Sequence, residues 1–252
     1  MTSLHEVNSR TDVKEYYYDD GRAEKYIEHR FRSPLFRLLH EKQVDCVNEL
    51  LKNQQLKKVL ELAPGPARLT TRIQNTEKGT LVDASSAMLN VAEKRLGELG
   101  RKEKWNFKQA DIFELALAEE FDLVYTFRFL RHFDEEKRKQ LYQRVREHLR
   151  PAGWLVFDAV NEDISKPMRL ANPQNFPVYD ELYQKDDLIS ELQREGFEVK
   201  NLIPVQCNFV LQQKINSLAR FPFKWLATAL IQCLEKPQTA NPLEWIVVCQ
   251  KK

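Results

Sequence analysis

Residues 59–70, VLELAPGPARLT, constrain the fold more than any other stretch of the chain. Apolar Val59, Leu60 and Leu62 stop abruptly at Ala63-Pro64-Gly65-Pro66-Ala67, and an amphipathic segment follows. The pattern predicts a buried strand, a tight loop of small residues and a short helix over 67–74. In an open α/β sheet such a unit places a ligand at the carboxyl end of the strand, close to the backbone N–H groups of the loop. The letters then narrow the ligand. A dinucleotide fingerprint needs G-x-G-x-x-G. Here the small residues fall at every second position, Ala63, Gly65 and Ala67, and Glu61 sits within the strand. A phosphate loop needs Lys-Ser/Thr after its last glycine, and none follows.

Further strands and helices alternate behind this unit, which argues for a parallel sheet. A strand over 79–83 ends in Asp83, about half a βαβ unit after the loop, where an acid can accept hydrogen bonds from both ribose hydroxyls of an adenosine. Ala84-Ser85-Ser86-Ala87-Met88-Leu89 opens a helix with a serine cap. A third strand, 106–112, ends in Asp111-Ile112. The fourth, 121–127, is nearly continuous in apolar residues and suits the sheet centre. It leads into Arg128-Phe129-Leu130-Arg131-His132-Phe133. A helix capped by Asp134 buries Leu141, Val145 and Leu149. A turn at 150–153 precedes a fifth strand at 154–160.

Acid-x-small-x-Gly-x-small at 61–67 resembles motif I of the class I S-adenosylmethionine-dependent methyltransferases. VDASSAMLNVAEKRL resembles that family's motif II, and LRPAGWLVF its L-K-P-G-G-x-L segment. The resemblance covers roughly residues 55–160. It implies a single Rossmann-like α/β domain: a seven-stranded sheet with helices on both faces, and S-adenosyl-L-methionine as cofactor, released as S-adenosyl-L-homocysteine. By it, Glu61, Ala63, Pro64, Gly65, Asp83, Ala84, Met88, Asp111, Ile112 and Phe127 line the cofactor, with Asp111 facing the adenine amino group and Ile112 forming the adenine wall. Two usual glycines are alanine here. Alanine serves in such a place only where φ is negative and a methyl group fits, so the change is expected to trim the pocket or lower affinity. Arg128, Arg131 and Trp225 become candidate substrate contacts. His132 and Arg128 become candidate catalytic groups, because guanidinium binds carboxylate or phosphate in a fork and imidazole can serve a hydroxyl acceptor as base. The bland alternatives are a structurally bonded His132 and an arginine paired with an acid such as Asp134 or Glu135.

Residues 1–54 read as an N-terminal helical cap or lid on a core spanning 55–252. A helix over 35–51 packs on the first strand. Before it lies an aromatic and cationic group from which the resemblance singles out Tyr17, Tyr26 and Arg30 as lid contacts to the cofactor. Residues 161–185 read as a long connection, followed by a helix from Lys185 and strands at 197–207 and 243–250. Between those strands an insertion of about 208–242 mixes aromatic and aliphatic residues with Lys214, Arg220 and Lys224. It is a cap on the core, a cover for an apolar substrate, or a basic amphipathic piece making weak contact with a membrane surface.

The 39 basic and 37 acidic residues nearly cancel, which argues against an extended nucleic-acid surface. The four cysteines lack metal-site spacing and read as reduced thiols of a cytoplasmic protein. The first ten residues have no signal-peptide core, and no apolar run is long enough to span a bilayer. The expected reaction is methyl transfer to an oxygen, nitrogen or carbon of a small, acidic or partly apolar molecule. The rival readings are a tRNA or protein methyltransferase, a nicotinamide-dependent oxidoreductase, and a non-catalytic cofactor-binding or peripheral membrane protein.

Overall fold

The computed structural model describes residues 33–217, 224–235 and 242–252. Strands β1 (Lys58–Leu62), β2 (Lys78–Asp83), β3 (Trp105–Gln109), β4 (Phe121–Tyr125), β5 (Leu149–Asn161), β7 (Phe197–Val205) and β8 (Glu244–Lys251) form one sheet in the order β3-β2-β1-β4-β5-β8-β7. A two-residue strand, β6 (Leu182–Tyr183), pairs with the end of β5 off this path, making eight where seven were expected. β1 to β5 are parallel, and only β8 runs antiparallel to its neighbours β5 and β7. The order reverses between β1 and β4, the switch point at which ligands bind in open α/β sheets.

Alternate residues of the central strands face two cores. Leu60, Leu62, Val82, Val124, Leu155 and Phe157 pack under α3 (Glu135–His148) and α5 (Lys185–Arg194). Val59, Leu81, Leu123, Tyr125 and Val156 pack under α1 (Pro34–Asn53) and α2 (Ser86–Glu98). Both faces are covered, so these strands are apolar throughout rather than alternating. Ser85 caps α2 and Asp134 caps α3, each accepting a backbone N–H of the first turn.

Three local expectations are corrected. The helix expected over 67–74 is a single 3₁₀ turn, Thr70–Arg72. The left-handed backbone at Ala67 (φ 55°) breaks a helix at its first residue, and two arginines of the next crossover hold the segment: Arg95 bonds the carbonyl of Pro66, and Arg101 bonds those of Thr71 and Ile73. β5 begins at Leu149 and runs through the expected turn at 150–153, with Ala152 at φ 58° and the register against β4 shifting between Phe121 and Leu123. The expected connection at 161–185 contains α4 (Glu162–Ala171) and β6. Asn161 caps α4, Glu162 and Asp163 favour its first turn, and Pro167 lies inside it. The insertion contains α6 (Phe209–Ser217) and α7 (Lys224–Cys233). No helix among the described residues is long and apolar enough to cross a membrane.

Candidate active site

A cleft opens over the carboxyl ends of β1 to β4. It is lined by the loop after β1, by Val82, Asp83, Ala84, Ser85 and Met88, by residues 110–113, and by Phe127, Arg128, Phe129, His132 and Phe133. The loop passes through left-handed backbone three times, at Ala63 (φ 51°), Gly65 (φ 55°) and Ala67 (φ 55°). This overturns the negative φ expected of the alanines. Each alanine is disfavoured there by roughly 1–2 kcal/mol, a strain the surroundings must hold. The Ala63 N–H donates to the Val82 carbonyl at 2.8 Å and the Gly65 N–H to Asp83 Oδ2 at 3.0 Å, while the rings of Pro64 and Pro66 fix the intervening φ. The Ala67 methyl is fully buried in the core under α1 and α2.

These bonds bear on the ligand. Residues 63–66 have no backbone N–H left for it, because two are proline and two already donate within the protein. No α-helix starts behind them. The row of backbone donors that would hold a pyrophosphate is missing. The expectation that loop N–H groups approach the ligand is corrected for residues 63–66.

Asp83, at the tip of β2, instead accepts one N–H on each carboxylate oxygen, from Gly65 at 3.0 Å and from Ser85 at 2.9 Å. Burial raises its pKa, and the N–H groups of Ser85, Gly65 and Ala84 oppose the rise. A carboxylate has about four acceptor sites, so both oxygens keep capacity for ligand hydroxyls. Met88, on the first turn of α2, places its Sδ 4.0 Å from where a side chain at Gly65 would begin. Asp111 stands after β3 and caps the 3₁₀ turn Ile112–Glu114 through the Phe113 N–H at 3.1 Å. Ile112 is buried in the cleft wall beside an edge-to-face set: Phe113 and Phe133 at 5.4 Å between centroids, Phe129 and Phe133 at 5.1 Å.

Glu61 lies deeper, buried beneath Thr70 and Tyr125, whose hydroxyls both donate to its Oε2. Burial pushes its pKa up to about 7, against the pull of those bonds and of Arg68. Arg68 lines the cleft and is fastened from α1, with Nη1 2.9 Å from His40 Nδ1 and Nη2 2.8 Å from Gln43 Oε1. Burial first, then the charge of Arg68, lowers the pKa of His40 to about 3, so its Nδ1 accepts. Arg68 was not singled out in the sequence, although it directly follows the small-residue loop.

The residues after β4 divide. Phe127 and Arg128 line the cleft, and Arg128 (φ 62°) donates its backbone N–H to Asp158 Oδ1. Arg131 does not reach it. It is 3% exposed and paired with Asp158, Asp180 and Glu244 at 3.2 Å each, so the substrate role expected of it is replaced by a structural one. Its partners are neither Asp134 nor Glu135, the nearby acids named from the sequence. His132 turns Nδ1 toward two acceptors, the Tyr179 carbonyl at 2.8 Å and Asp180 Oδ1 at 2.9 Å. The proton therefore belongs on Nδ1. Nε2 is buried, on a residue that lines the cleft, with no hydrogen-bond partner among the described residues. Asp180 comes from a segment without a motif, and only the fold reveals it. Trp225 is 70% exposed and is not among the cleft residues. Tyr17, Tyr26 and Arg30 lie outside the described residues. No cluster able to hold a metal ion occurs among the described residues.

Comparison with known proteins agrees with this geometry. Residues 59–153 match the family model described as a methyltransferase domain. Magnesium protoporphyrin IX methyltransferase from Synechocystis PCC 6803, solved with bound S-adenosylhomocysteine, is 14% identical, with a TM-score of 0.67 over 95% of this chain and 98% of that one. An S-adenosylmethionine-dependent methyltransferase from Clostridium acetobutylicum ATCC 824 is 14% identical, with a TM-score of 0.61 over 92% and 96%. The N-methyltransferase NodS from Bradyrhizobium japonicum WM9, solved with S-adenosylhomocysteine, is 15% identical, with a TM-score of 0.58 over 91% and 98%. At these identities the likeness is one of fold. No curated protein is a significant match in sequence.

Two outcomes follow from the buried charges. Arg131→Met leaves Asp158, Asp180 and Glu244 without their shared cation. Urea denaturation should show a loss of about 3–5 kcal/mol; unchanged stability would contradict the structural role. Glu61, with its pKa raised from 4.5 to about 7, stabilises the fold fully below pH 4.5. That contribution is lost as pH rises to 7, because the unfolded chain releases the proton first. Glu61→Gln should flatten the fall in melting temperature across this window, and an identical pH profile in the variant would refute the assignment.

Proposed function

We propose that this chain, which carries a methyltransferase domain over residues 59–153 within a class I methyltransferase fold, transfers a methyl group from S-adenosylmethionine to the hydroxyl of a small molecule. The observation that carries the cofactor assignment is the spent loop. Its residues 63–66 keep no backbone N–H for a phosphate, while carboxylates stand at the ends of two neighbouring strands, and S-adenosylmethionine is an adenosine without phosphate. Asp83 would accept from the ribose hydroxyls and Asp111 from the adenine amino group, with Ile112 and Met88 on the faces of the ring. Arg68 is the cation suited to the cofactor's carboxylate. When bound, the sulfonium supplies an already electrophilic methyl.

The protein's own work is then positioning and proton transfer. Phe129 and Phe133 keep water from the reacting end of the cleft. His132, held through Nδ1 by the Tyr179 carbonyl and Asp180, would take the acceptor's proton on Nε2, and Arg128, which also lines the cleft, would hold an acidic group on the acceptor. Near-balanced charge favours such a small acceptor over a nucleic acid.

Calorimetric titration tests the proposal. S-adenosylmethionine and S-adenosylhomocysteine should bind saturably and NAD should not, with Asp83→Ala weakening binding at least about tenfold. His132→Gln should keep the cofactor affinity but lower turnover of a hydroxyl acceptor by about 100-fold or more. Failure of the folded protein to bind either sulfur compound would overturn the reading.

A further inference from the structure

We propose that the outer face of α6 and α7 docks the protein onto a membrane surface bearing anionic lipid. Both helices turn large apolar side chains outward. Gln212 is fully buried, donating to the Ile231 carbonyl at 3.2 Å and to Glu235 Oε2 at 2.7 Å, and Glu235 also receives the backbone N–H groups of Gln206 and Cys207. Polar side chains thus knit the insertion internally. Val210, Leu211, Trp225, Leu226 and Leu230 are turned to solvent at 42–70% exposure. On α7 the outward positions 225, 226, 229, 230 and 233 recur at helical spacing and carry no charge, while Ala227 and Ile231 face inward. A helix facing water has the opposite arrangement.

Charge identifies what covers this face. Residues 199–234 contain no Asp or Glu, in a chain with 37 among 252 residues, yet include Lys200, Lys214, Arg220 and Lys224. A protein partner could match an apolar face alone. Lys214 and Lys224, on the same two helices as an apolar stripe led by a tryptophan, match anionic headgroups above acyl chains. Lysine stems can lie along the apolar stripe and hold their ammonium groups at headgroup level.

The sheet sets where the surface lies. β7 and β5 both run antiparallel to β8, so β7 exits at Val205 on the edge where the cleft opens. The start of α1 lies there too, with Ser33 Oγ donating to Asn216 Oδ1 at 2.8 Å. Docking would set the cleft beside the bilayer, within reach of an acceptor dissolved in it. The surface itself needs no cofactor and stands whether or not the catalytic reading holds.

The test is cosedimentation of the full chain with phosphatidylcholine vesicles, with and without phosphatidylglycerol. The parent should bind the anionic vesicles and be released by salt. Trp225→Glu with Leu230→Glu should weaken binding at least about tenfold, with the melting curve retained because both side chains already face solvent. Lys214→Glu with Lys224→Glu, which leaves the apolar stripe intact, should weaken it by a similar factor at roughly fivefold per cation. Absence of parent binding, or equal binding by both variants, would overturn the proposal. So would a dimer in light scattering that Trp225→Glu with Leu230→Glu dissociates while vesicles bind nothing, which would give the face to a second copy of the chain.

Discussion

The guanidinium of Arg131 is the point on which the carboxyl edge of the sheet is hung. It sits where the chain leaves β4 and gathers Asp158 from β5, Glu244 from the start of β8 and Asp180 from the approach to β6. Two of these acids serve the cleft. Asp158 uses its other oxygen to fix the backbone of Arg128, and Asp180 orients His132. Burial works against ionising Asp180, but Arg131, His132 and Arg169 outweigh it and hold its carboxyl well below the usual range. Burial raises the pKa of Glu244, which eases an arrangement with three carboxyls around two guanidinium groups. Such a cluster adds little net stability over a well-packed apolar one. Here it sets direction, aiming a backbone and an imidazole at one wall of a pocket.

A second buried cluster repeats the arrangement away from the cleft. Arg138 of α3 makes a fork with Glu191 of α5 at 2.9 and 2.7 Å, and Glu191 also accepts from Tyr142. It joins two helices that share the core beneath β4 and β5. The paired helices and the pinned strand ends leave the cleft on a rigid base. The insertion lies at the margin, past the last crossover.

What could be read in the sequence was local. Glu61, Asp83 and Asp111 each stand at or just beyond the end of an apolar run, and a strand-end acid needs only its neighbours to be recognised. The cap at Ser85 and the stripe of α3 follow from spacings of three and four. What was hidden is long-range or conformational. Arg131 and Glu244 are 113 positions apart, and nothing near either announces the pairing. Asp180 is one acid among several in a segment broken by prolines. The left-handed backbone at Ala63 and Ala67 contradicts their residue type, because the Val82 carbonyl, the Asp83 carboxylate and a closed core impose it. The helix expected after the loop failed for a similar reason, because its first residue, Ala67, is held in left-handed backbone.

The stiffness of that loop has a consequence for ligand exchange. Two prolines, three left-handed residues and two internal hydrogen bonds give the segment its shape when the protein folds. A ligand arriving there has little backbone entropy to remove, and the strain in the alanines is already met by folding. The wall beneath the ligand neither tightens on arrival nor slackens on departure. Any adjustment to a ligand is then left to the opposite wall, where the side chains after β4 line the cleft.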